Sequence, residues 1–397
     1  MSLLIQHGYG KTDKIEQSFS QSTANGVILS PKNEKPDNLQ SFVQELSSEY
    51  PQSLRLLDPQ FHYSTCLDDH EGRLSEYPYY SAGLKRKDFL KSSDIAGYVR
   101  KVFDFQEELA LSANLSPTVL VRDLNDPWSQ VSMQLLAESV SYSETLKSKR
   151  DLFLSLIVSE DAFLNRKSVD DYLDLITSFE TEGFYFVLDR KEQRYQQRIS
   201  PDVLENLLYF FYSLAEVNRF KVIVGYTDLL GILFKSVGVA HCACGWHGSL
   251  CLFSSTHLDR IKKKGGKTPR PRYTSSALLN SILVFPELDL ACSRGLQAHV
   301  ASGTAFDRAL LSNRNAAWDA ETKAMHHWES VSALYSKIDS LNSLPKKLKL
   351  VEDLLDSAIA NYAVLNNSGV VFEASSDGRH LEEWKSAISA FRKSVKI

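Results

Sequence analysis

The sequence predicts an α/β protein built on a TIM-type (β/α)8 barrel with a C-terminal helical extension. Short runs rich in Val, Ile, Leu and Phe recur along the first 245 residues and stay apolar throughout, as strands of a parallel sheet covered on both faces do. Most of these runs are followed by an amphipathic segment before the next run. No GxGxxG follows the first run, which favours a barrel over an open doubly wound sheet.

Seven strands are predicted with the same apolar pattern. They are GVILSP (26–31), SLRLLDP (53–59), TVLVRDL (118–124), LFLSLIVSED (152–161), FYFVLDR (184–190), KVIVGYTD (221–228) and VGVAHCACG (237–245). The eighth strand has the weakest signal. We expect it at NSILVFPEL (280–288), with LCLFSS (250–255) as the alternative.

Five helices are predicted between these strands from their helical spacing of apolar residues. They are residues 38–50, 93–113, 128–142, 168–183 and 200–217. Residues that favour helix starts stand at or near the first positions of four of them: Asn38, Ser93, Ser168 and Ser200 or Pro201. The strand and helix order therefore alternates as a barrel requires.

The chain is predicted to divide into a barrel over residues 20–300 and a helical region over residues 301–397. A polar and aromatic insertion, 61–92, follows the second predicted strand on the side where barrel active sites lie. After residue 300 the strand patterns stop, and apolar residues recur at helical spacing around 351–365 and 384–395. We interpret these helices as a cap on the barrel or a surface that docks a partner.

Composition narrows the function classes. The chain has 397 residues and a net charge of −4, so it has no overall basic excess to bind a nucleic acid. No apolar run reaches the roughly 18 residues that cross a bilayer, and the apolar start is too short for a signal peptide. Five unevenly spaced cysteines predict no disulfide framework. We therefore expect a cytoplasmic protein that does not bind membranes.

One local basic segment stands out against this background. The sequence RIKKKGGKTPRPRY (260–273) combines seven cations with two glycines and two prolines. It is either a solvated linker or a contact surface for a nucleic acid or an acidic protein partner. The candidate contact residues are Arg260, Lys262, Lys263, Lys264, Lys267, Arg270 and Arg272.

Polar residues directly after barrel strands point into a shared pocket. Here these residues are Asp58, Asp123, Glu160, Asp189, Tyr226 and Asp228. Several carboxylates at one mouth suit acid/base chemistry, or recognition of a ligand rich in N–H donors such as a purine. The alternative for any one of them is helix capping. Aromatic residues at 61–63 and at Tyr226 suit stacking on a planar ligand, although aromatics near strand ends are also common in cores.

The stretch GVAHCACGWHG (238–248) contains two cysteines and two histidines. On a strand, Cys242 and Cys244 share one face, and His241 and Ala243 share the other. A zinc site, a thiol nucleophile and simple buried cysteines are the alternatives. Buried cysteines are the most common outcome, and no second half of a zinc motif has a recognisable spacing. We therefore predict no metal and no cofactor.

With its strands placed, the chain resembles the tRNA-guanine transglycosylase family over roughly residues 20–300. Those barrel enzymes exchange guanine for a 7-deazaguanine in tRNA. LDPQFHY (57–63) is similar to the family's DSGGFQ motif without its glycines, which implies a catalytic Asp58 and a base-stacking Phe61. VLDRKE (187–192) implies that Asp189 reads the base edge, and VGYTD (224–228) implies a base-contact loop with Gly225 and Tyr226.

The family's nucleophilic aspartate falls on Ala243 in GVAHCAC (238–244), and its CxCxxC zinc motif is missing. This loss resembles the transglycosylase-like accessory proteins of type IV CBASS anti-phage operons. The resemblance implies a protein that binds a 7-deazaguanine moiety, or a cGAS/DncV-like nucleotidyltransferase carrying one, without base exchange. The alternative is an active base-exchange or N-glycosidic enzyme acting on a nucleoside, tRNA or DNA. Candidate ligand contacts are Phe61, Asp123, Asp189, Gly225, Tyr226 and Ala243, with Asp58 as the candidate catalytic residue.

Overall fold

A computed structural model describes residues 2–66, 72–191, 195, 197–257, 270–307, 311 and 319–397. The strands are β1 (Leu3–Gln6), β2 (Gly26–Leu29), β3 (Leu54–Leu57), β4 (Ala113–Leu115), β5 (Leu120–Val121), β6 (Asp151–Ser159), β7 (Gly183–Asp189), β8 (Lys221–Gly225), β9 (His241–Cys244), β10 (Arg272–Ser275) and β11 (Asn280–Leu283). The predicted α/β barrel fold is confirmed.

Helices connect these strands and follow them. Those within the barrel are α1 (Lys14–Ser20), α2 (Pro36–Glu49), α3 (Tyr63–Cys66), α4 (Ser92–Glu107), α5 (Pro127–Ser143), α6 (Arg166–Ile176), α7 (Pro201–Tyr212) and α8 (Gly231–Ser236). Those after the barrel are α9 (Asp289–Ser293), α10 (Ala320–Asp339), α11 (Leu344–Asn367) and α12 (Arg379–Ser394). In the described part of the chain, no helix is both long and apolar enough to cross a bilayer.

The barrel strands are all parallel and follow the order β3-β2-β1-β9-β8-β7-β6-β4. The short strands β4 and β5 pair with successive parts of β6 and together occupy one strand position. The ring is nearly closed between β3 and β4. There the Ser112 backbone N–H donates to the Arg55 carbonyl at 2.9 Å, and the Arg55 N–H donates to Ser112 Oγ at 3.0 Å.

The prediction of the eighth strand was wrong. The sequence at 280–288 supplies β11, which forms an antiparallel hairpin with β10 apart from the barrel. The alternative at 250–255 makes only an isolated bridge from Phe253 to Asp189. The missing strand is β1, which pairs with both β2 and β9. Its sequence LLIQ is as long as β2 and β3, but the apolar residues at the start of the chain were considered only as a signal peptide.

Side chains alternate between the barrel interior and the layer between barrel and helices. Leu4, Tyr185 and Ala243 belong to the interior cluster, whereas Cys242 and Cys244 belong to the outer core. The predicted division of faces on β9 is therefore confirmed, because neighbouring residues of a strand point to opposite sides. Both cysteines are fully buried and free.

The C-terminal helices pack on the barrel through buried aromatic residues. Helix α12 lies against α7, and the Trp384 indole donates to the Gln197 carbonyl at 3.1 Å. On α10, the Trp328 indole donates to the Cys244 carbonyl at 3.3 Å, and the Tyr335 hydroxyl donates to the Asp228 carbonyl. These hydrogen bonds fix the helices to the loops that leave the carboxyl ends of the strands.

Replacing Trp384 by alanine should destabilise the protein strongly. The indole is fully buried, so its removal leaves a cavity and an unpaired carbonyl at Gln197. We expect a loss of about 3–5 kcal/mol in the free energy of unfolding measured with urea. The control is Val371→Ala, at a side chain that is 77% exposed, which should change it by less than about 0.5 kcal/mol. Equal effects of the two substitutions would contradict this packing.

Candidate functional site

Asp58 lies inside the carboxyl end of the barrel. It follows β3 directly and is buried. Its Oδ2 accepts a hydrogen bond from the Tyr185 hydroxyl at 3.1 Å, and its Oδ1 accepts one from the Gln60 backbone N–H at 2.9 Å. Burial raises the pKa of Asp58 to about 6, although these two hydrogen bonds act in the opposite direction. The side chain can therefore hold or release a proton near neutral pH.

Two residues beside Asp58 have left-handed backbone conformations. Gln60 has φ +53° and Tyr226 has φ +52°, which is uncommon for residues other than glycine. The Gln60 amide nitrogen donates to the Tyr226 hydroxyl at 3.4 Å, so the loops after β3 and β8 meet across the mouth. Such conformations persist only where the surroundings enforce them, and they cluster at functional sites.

Four rings cover the barrel interior, and we call them the mouth cluster: His62, Tyr63, Tyr226 and Phe253. The His62 ring lies 4.4 Å from Tyr63 and 5.3 Å from Phe253, between centroids. Tyr226 lies 5.7 Å from Phe253. Phe253 was not predicted as a site residue, because its segment had an apolar pattern that resembled a barrel strand.

The structure does not bring Phe61 to this cluster. Its ring packs in the outer core against Phe89 and Tyr98, at centroid distances of 6.4 and 5.6 Å. The left-handed turn at Gln60 redirects the chain, so Phe61 points away from the interior while His62 and Tyr63 contribute rings to the mouth. The stacking role implied for Phe61 therefore has no geometric support.

Asp189 and Asp123 have different environments. Both oxygens of Asp189 accept hydrogen bonds from Ser255, from its N–H at 2.6 Å and its hydroxyl at 2.7 Å, and burial raises the pKa of Asp189. Asp123 is exposed and accepts from the Asn125 N–H at 2.8 Å, which is a local turn contact. The structure therefore does not bring Asp123 into the barrel interior with Asp58.

Two other predicted positions carry no polar side chain but shape the interior. Ala243 on β9 is fully buried and points inward, and its carbonyl accepts the Thr227 N–H at 2.8 Å. A Cβ on Gly225 would lie 2.6 Å from the Tyr185 hydroxyl. Gly225 therefore leaves the space through which Tyr185 reaches Asp58.

Buried polar atoms near this mouth lack partners. Among the described residues, neither amide atom of Gln6 and neither ring nitrogen of His62 has a hydrogen-bond partner. Gln6 ends β1 and has the inward parity of Leu4. Burial lowers the pKa of His62 to about 3, so its ring is neutral, with one donor and one acceptor. Unpaired buried groups are costly, and a polar ligand would satisfy them.

The basic segment is described only at its end. Arg260, Lys262, Lys263, Lys264 and Lys267 lie outside the described residues. Arg270 forms a two-bond ion pair with Glu373, and Arg272 donates to Ser281, Ser375 and Ser376. Both described arginines therefore join the hairpin to the loop before α12.

The chain matches no protein-family model and no curated protein. Among solved structures, it is similar to 3-dehydroquinate dehydratase from Enterococcus faecalis at 9% identity, covering 63% of this chain and 90% of that one, with a TM-score of 0.35. It is also similar to a mutant O-GlcNAc hydrolase of Thermobaculum terrenum at 9% identity, covering 94% and 95%, with a TM-score of 0.33. These likenesses are too distant to bear on function. The assignment of the barrel fold is based on the strand pairing alone.

The pKa of Asp58 predicts a pH-dependent stability. Because the folded pKa of about 6 exceeds the ordinary value of 3.8, the unfolded chain releases this proton first. Stability should fall as pH rises through this window, by about 3 kcal/mol for this group. The side chain in Asp58→Asn cannot ionise. The difference in unfolding free energy between this variant and the wild type should therefore shift by that amount in favour of the variant as pH rises from 3.5 to about 7.

Urea unfolding at several pH values measures this difference. Asp123→Asn is the same substitution at an exposed position, and its effect should stay below about 0.5 kcal/mol. A constant difference between Asp58→Asn and wild type at all pH values would show that Asp58 titrates alike in both states.

Gly225→Ala should disturb the Tyr185–Asp58 hydrogen bond. The added methyl collides with the Tyr185 ring, and we expect a loss of about 1–3 kcal/mol in stability. Part of that cost should disappear in a Tyr185→Phe background, because the colliding hydroxyl is gone. The control is Gly97→Ala on α4, where a Cβ meets nothing within 4 Å and should stabilise the helix. Strict additivity in the double mutant would contradict the proposed collision.

Proposed function

We propose that this chain is a remodelled transglycosylase-like barrel that binds a 7-deazaguanine moiety, or a partner protein carrying one, without base exchange. The observation that carries the proposal is Ala243, which points into the barrel interior on β9, where the resemblance places the nucleophile. A methyl group cannot attack an anomeric carbon, so a covalent intermediate cannot form at that position.

The mouth offers the groups that a guanine-type base needs. The edge of guanine presents N–H donors beside a carbonyl acceptor. Asp58 is a buried acceptor when ionised, and the Gln6 amide supplies an NH2 donor group and a carbonyl acceptor without other partners in the described structure. Tyr226, which is half-buried, and Phe253 supply ring surfaces for stacking. A planar base at this mouth would thus replace missing hydrogen bonds.

The partner is proposed from the resemblance to the accessory proteins of type IV CBASS operons. In that setting the partner is a cGAS/DncV-like nucleotidyltransferase, and the process is anti-phage defence. A protein partner is favoured over a nucleic acid because the net charge is −4 and both described arginines of the basic segment have partners within the chain.

A second candidate function is favoured by one observation. Asp58 has a pKa of about 6 and is hydrogen-bonded to Tyr185, an arrangement that suits a general acid or base. On that hypothesis the chain cleaves an N-glycosidic bond of a nucleoside or nucleic acid. It requires no nucleophile at Ala243, because an activated water would attack instead.

Binding of free 7-deazaguanine, measured by calorimetry, tests the first proposal. Asp58→Asn should weaken binding by about 10- to 100-fold, because a charged acceptor is lost. Gln6→Leu should also weaken binding, yet it should not destabilise the free protein, because it removes buried amide atoms that have no partner in the described structure. Asp123→Asn is the control and should bind like the wild type.

Two assays separate the candidate functions. Incubation with tRNA and labelled guanine should give no incorporation. Release of free base from a nucleoside that disappears in Asp58→Asn would instead establish the N-glycosidic function. No affinity for the base in the wild-type protein, with the fold intact, would contradict the binding proposal.

A further inference from the structure

A cavity lies outside the barrel interior, beyond the carboxyl ends of β8 and β9. Its volume is about 320 Å³, and its walls come from the loops after these strands, the β10–β11 hairpin and α10. Asp228, Cys251 and His327 all line it. Neither Asp58 nor any ring of the mouth cluster is among its lining residues. This cavity is therefore separate from the mouth described above.

These three side chains converge on one point. One ligand atom from each lies within 4.8 Å of the other two. The Cys251 sulfur is 3.7 Å from His327 Nε2. In a tetrahedral zinc site, bonds of about 2.3 Å to sulfur and 2.0 Å to nitrogen place those two atoms about 3.5 Å apart. The Cys251–His327 spacing is therefore close to that of two ligands of one zinc ion.

Neighbouring groups hold the side chains in this arrangement. The Thr274 hydroxyl lies 2.8 Å from His327 Nδ1, which leaves Nε2 directed at Cys251. The Gln197 amide donates to Asp228 Oδ1 at 3.0 Å. A neutral imidazole with Nε2 free of other partners is the form in which histidine binds metals. Such outer contacts orient ligands in known metal sites.

We propose that Cys251, His327 and Asp228 bind a zinc-type divalent ion, with a fourth coordination position open to the cavity. A thiolate, an imidazole and a carboxylate together form the ligand set that zinc prefers over magnesium or calcium. The set differs in residues and spacing from the CxCxxC motif that the resemblance implies. It joins a loop after β8, a loop after β9 and helix α10, which sequence spacing cannot reveal.

A hydrogen-bonded thiol–imidazole pair without an ion is the competing explanation for the contact between Cys251 and His327. Such a pair would need only Cys251 and His327, with Thr274 orienting the ring. It leaves unexplained why the buried Asp228 carboxylate lies within reach of both. A cation among the three groups accounts for all of them, because it stabilises the thiolate and the carboxylate in a buried place.

The open position faces a cavity lined by cationic side chains. Arg272 and Lys323 are among its lining residues, together with Arg270, which is paired with Glu373. A ligand with anionic oxygens, such as a carboxylate or a phosphate, could bind the metal ion and these cationic side chains together. The binding of inorganic phosphate to the metal-loaded protein is the probe for this part.

Metal analysis of the full-length protein tests the site. Purified protein, dialysed against metal-free buffer, should retain about one zinc per chain. Replacing zinc with cobalt should give an absorption band of thiolate-to-cobalt charge transfer, and phosphate should change the cobalt spectrum. Cys251→Ser and His327→Asn should lose the band or the stoichiometric ion. Thr274→Val keeps all three ligands and should weaken affinity by about 10- to 100-fold.

Matched controls keep the result interpretable. Cys66→Ser and His299→Asn change the same residue types at partly buried positions away from the cavity, and both should retain the ion. Zinc should also protect Cys251 of the wild type from alkylation, which needs no substitution that could unfold the chain. A folded wild-type protein that takes up neither zinc nor cobalt, or Cys251 alkylated equally with and without zinc, would overturn the proposal.

Discussion

The hydrogen bond from Tyr185 to Asp58 crosses the barrel interior from β7 to β3, and the mouth is arranged around it. It places a buried carboxyl where no basic side chain of the described residues pairs with it, so the protonation of Asp58 depends on its burial. It also requires a residue without a side chain at Gly225, since the tyrosine passes there. The loops carrying Gln60 and Tyr226 then close over the pair in backbone conformations that few residues adopt.

The two faces of β9 separate two kinds of chemistry. Ala243 faces inward, toward the region proposed to bind a base, whereas Cys244 faces outward, near the thiol of Cys251. Cys251 belongs to the proposed outer site, and Ala243 stands where the resemblance places a carboxylate in the proposed inner site.

Much of the barrel could be predicted because its parallel strands are apolar on both faces. Strand β1, LLIQ, is equally apolar and as long as β2 and β3, but its residues were considered only as a possible signal peptide. The placement of Asp58 followed from its position after β3, but the outward turn of Phe61 depends on the φ of Gln60, which no local pattern specifies.

Asp228 was expected at the mouth. It lies three residues beyond β8, where strand parity no longer fixes direction, and it faces the outer cavity instead. His327 comes from a helix about 100 residues later, so its proximity is a product of tertiary packing alone.

The position of β1 has a consequence for how the chain folds. Strand β1, which precedes the other barrel strands, lies between β2 and β9, and its register pairs Leu4 with Ala243. One edge of β1 therefore stays without its native partner until β9 (His241–Cys244) has been synthesised. Contacts so distant in sequence slow folding and prolong the exposure of a strand edge. A barrel that closes in this way depends on the nascent chain keeping β1 available for pairing with β9. A barrel whose last pairing joined two strands adjacent in sequence would not have this requirement.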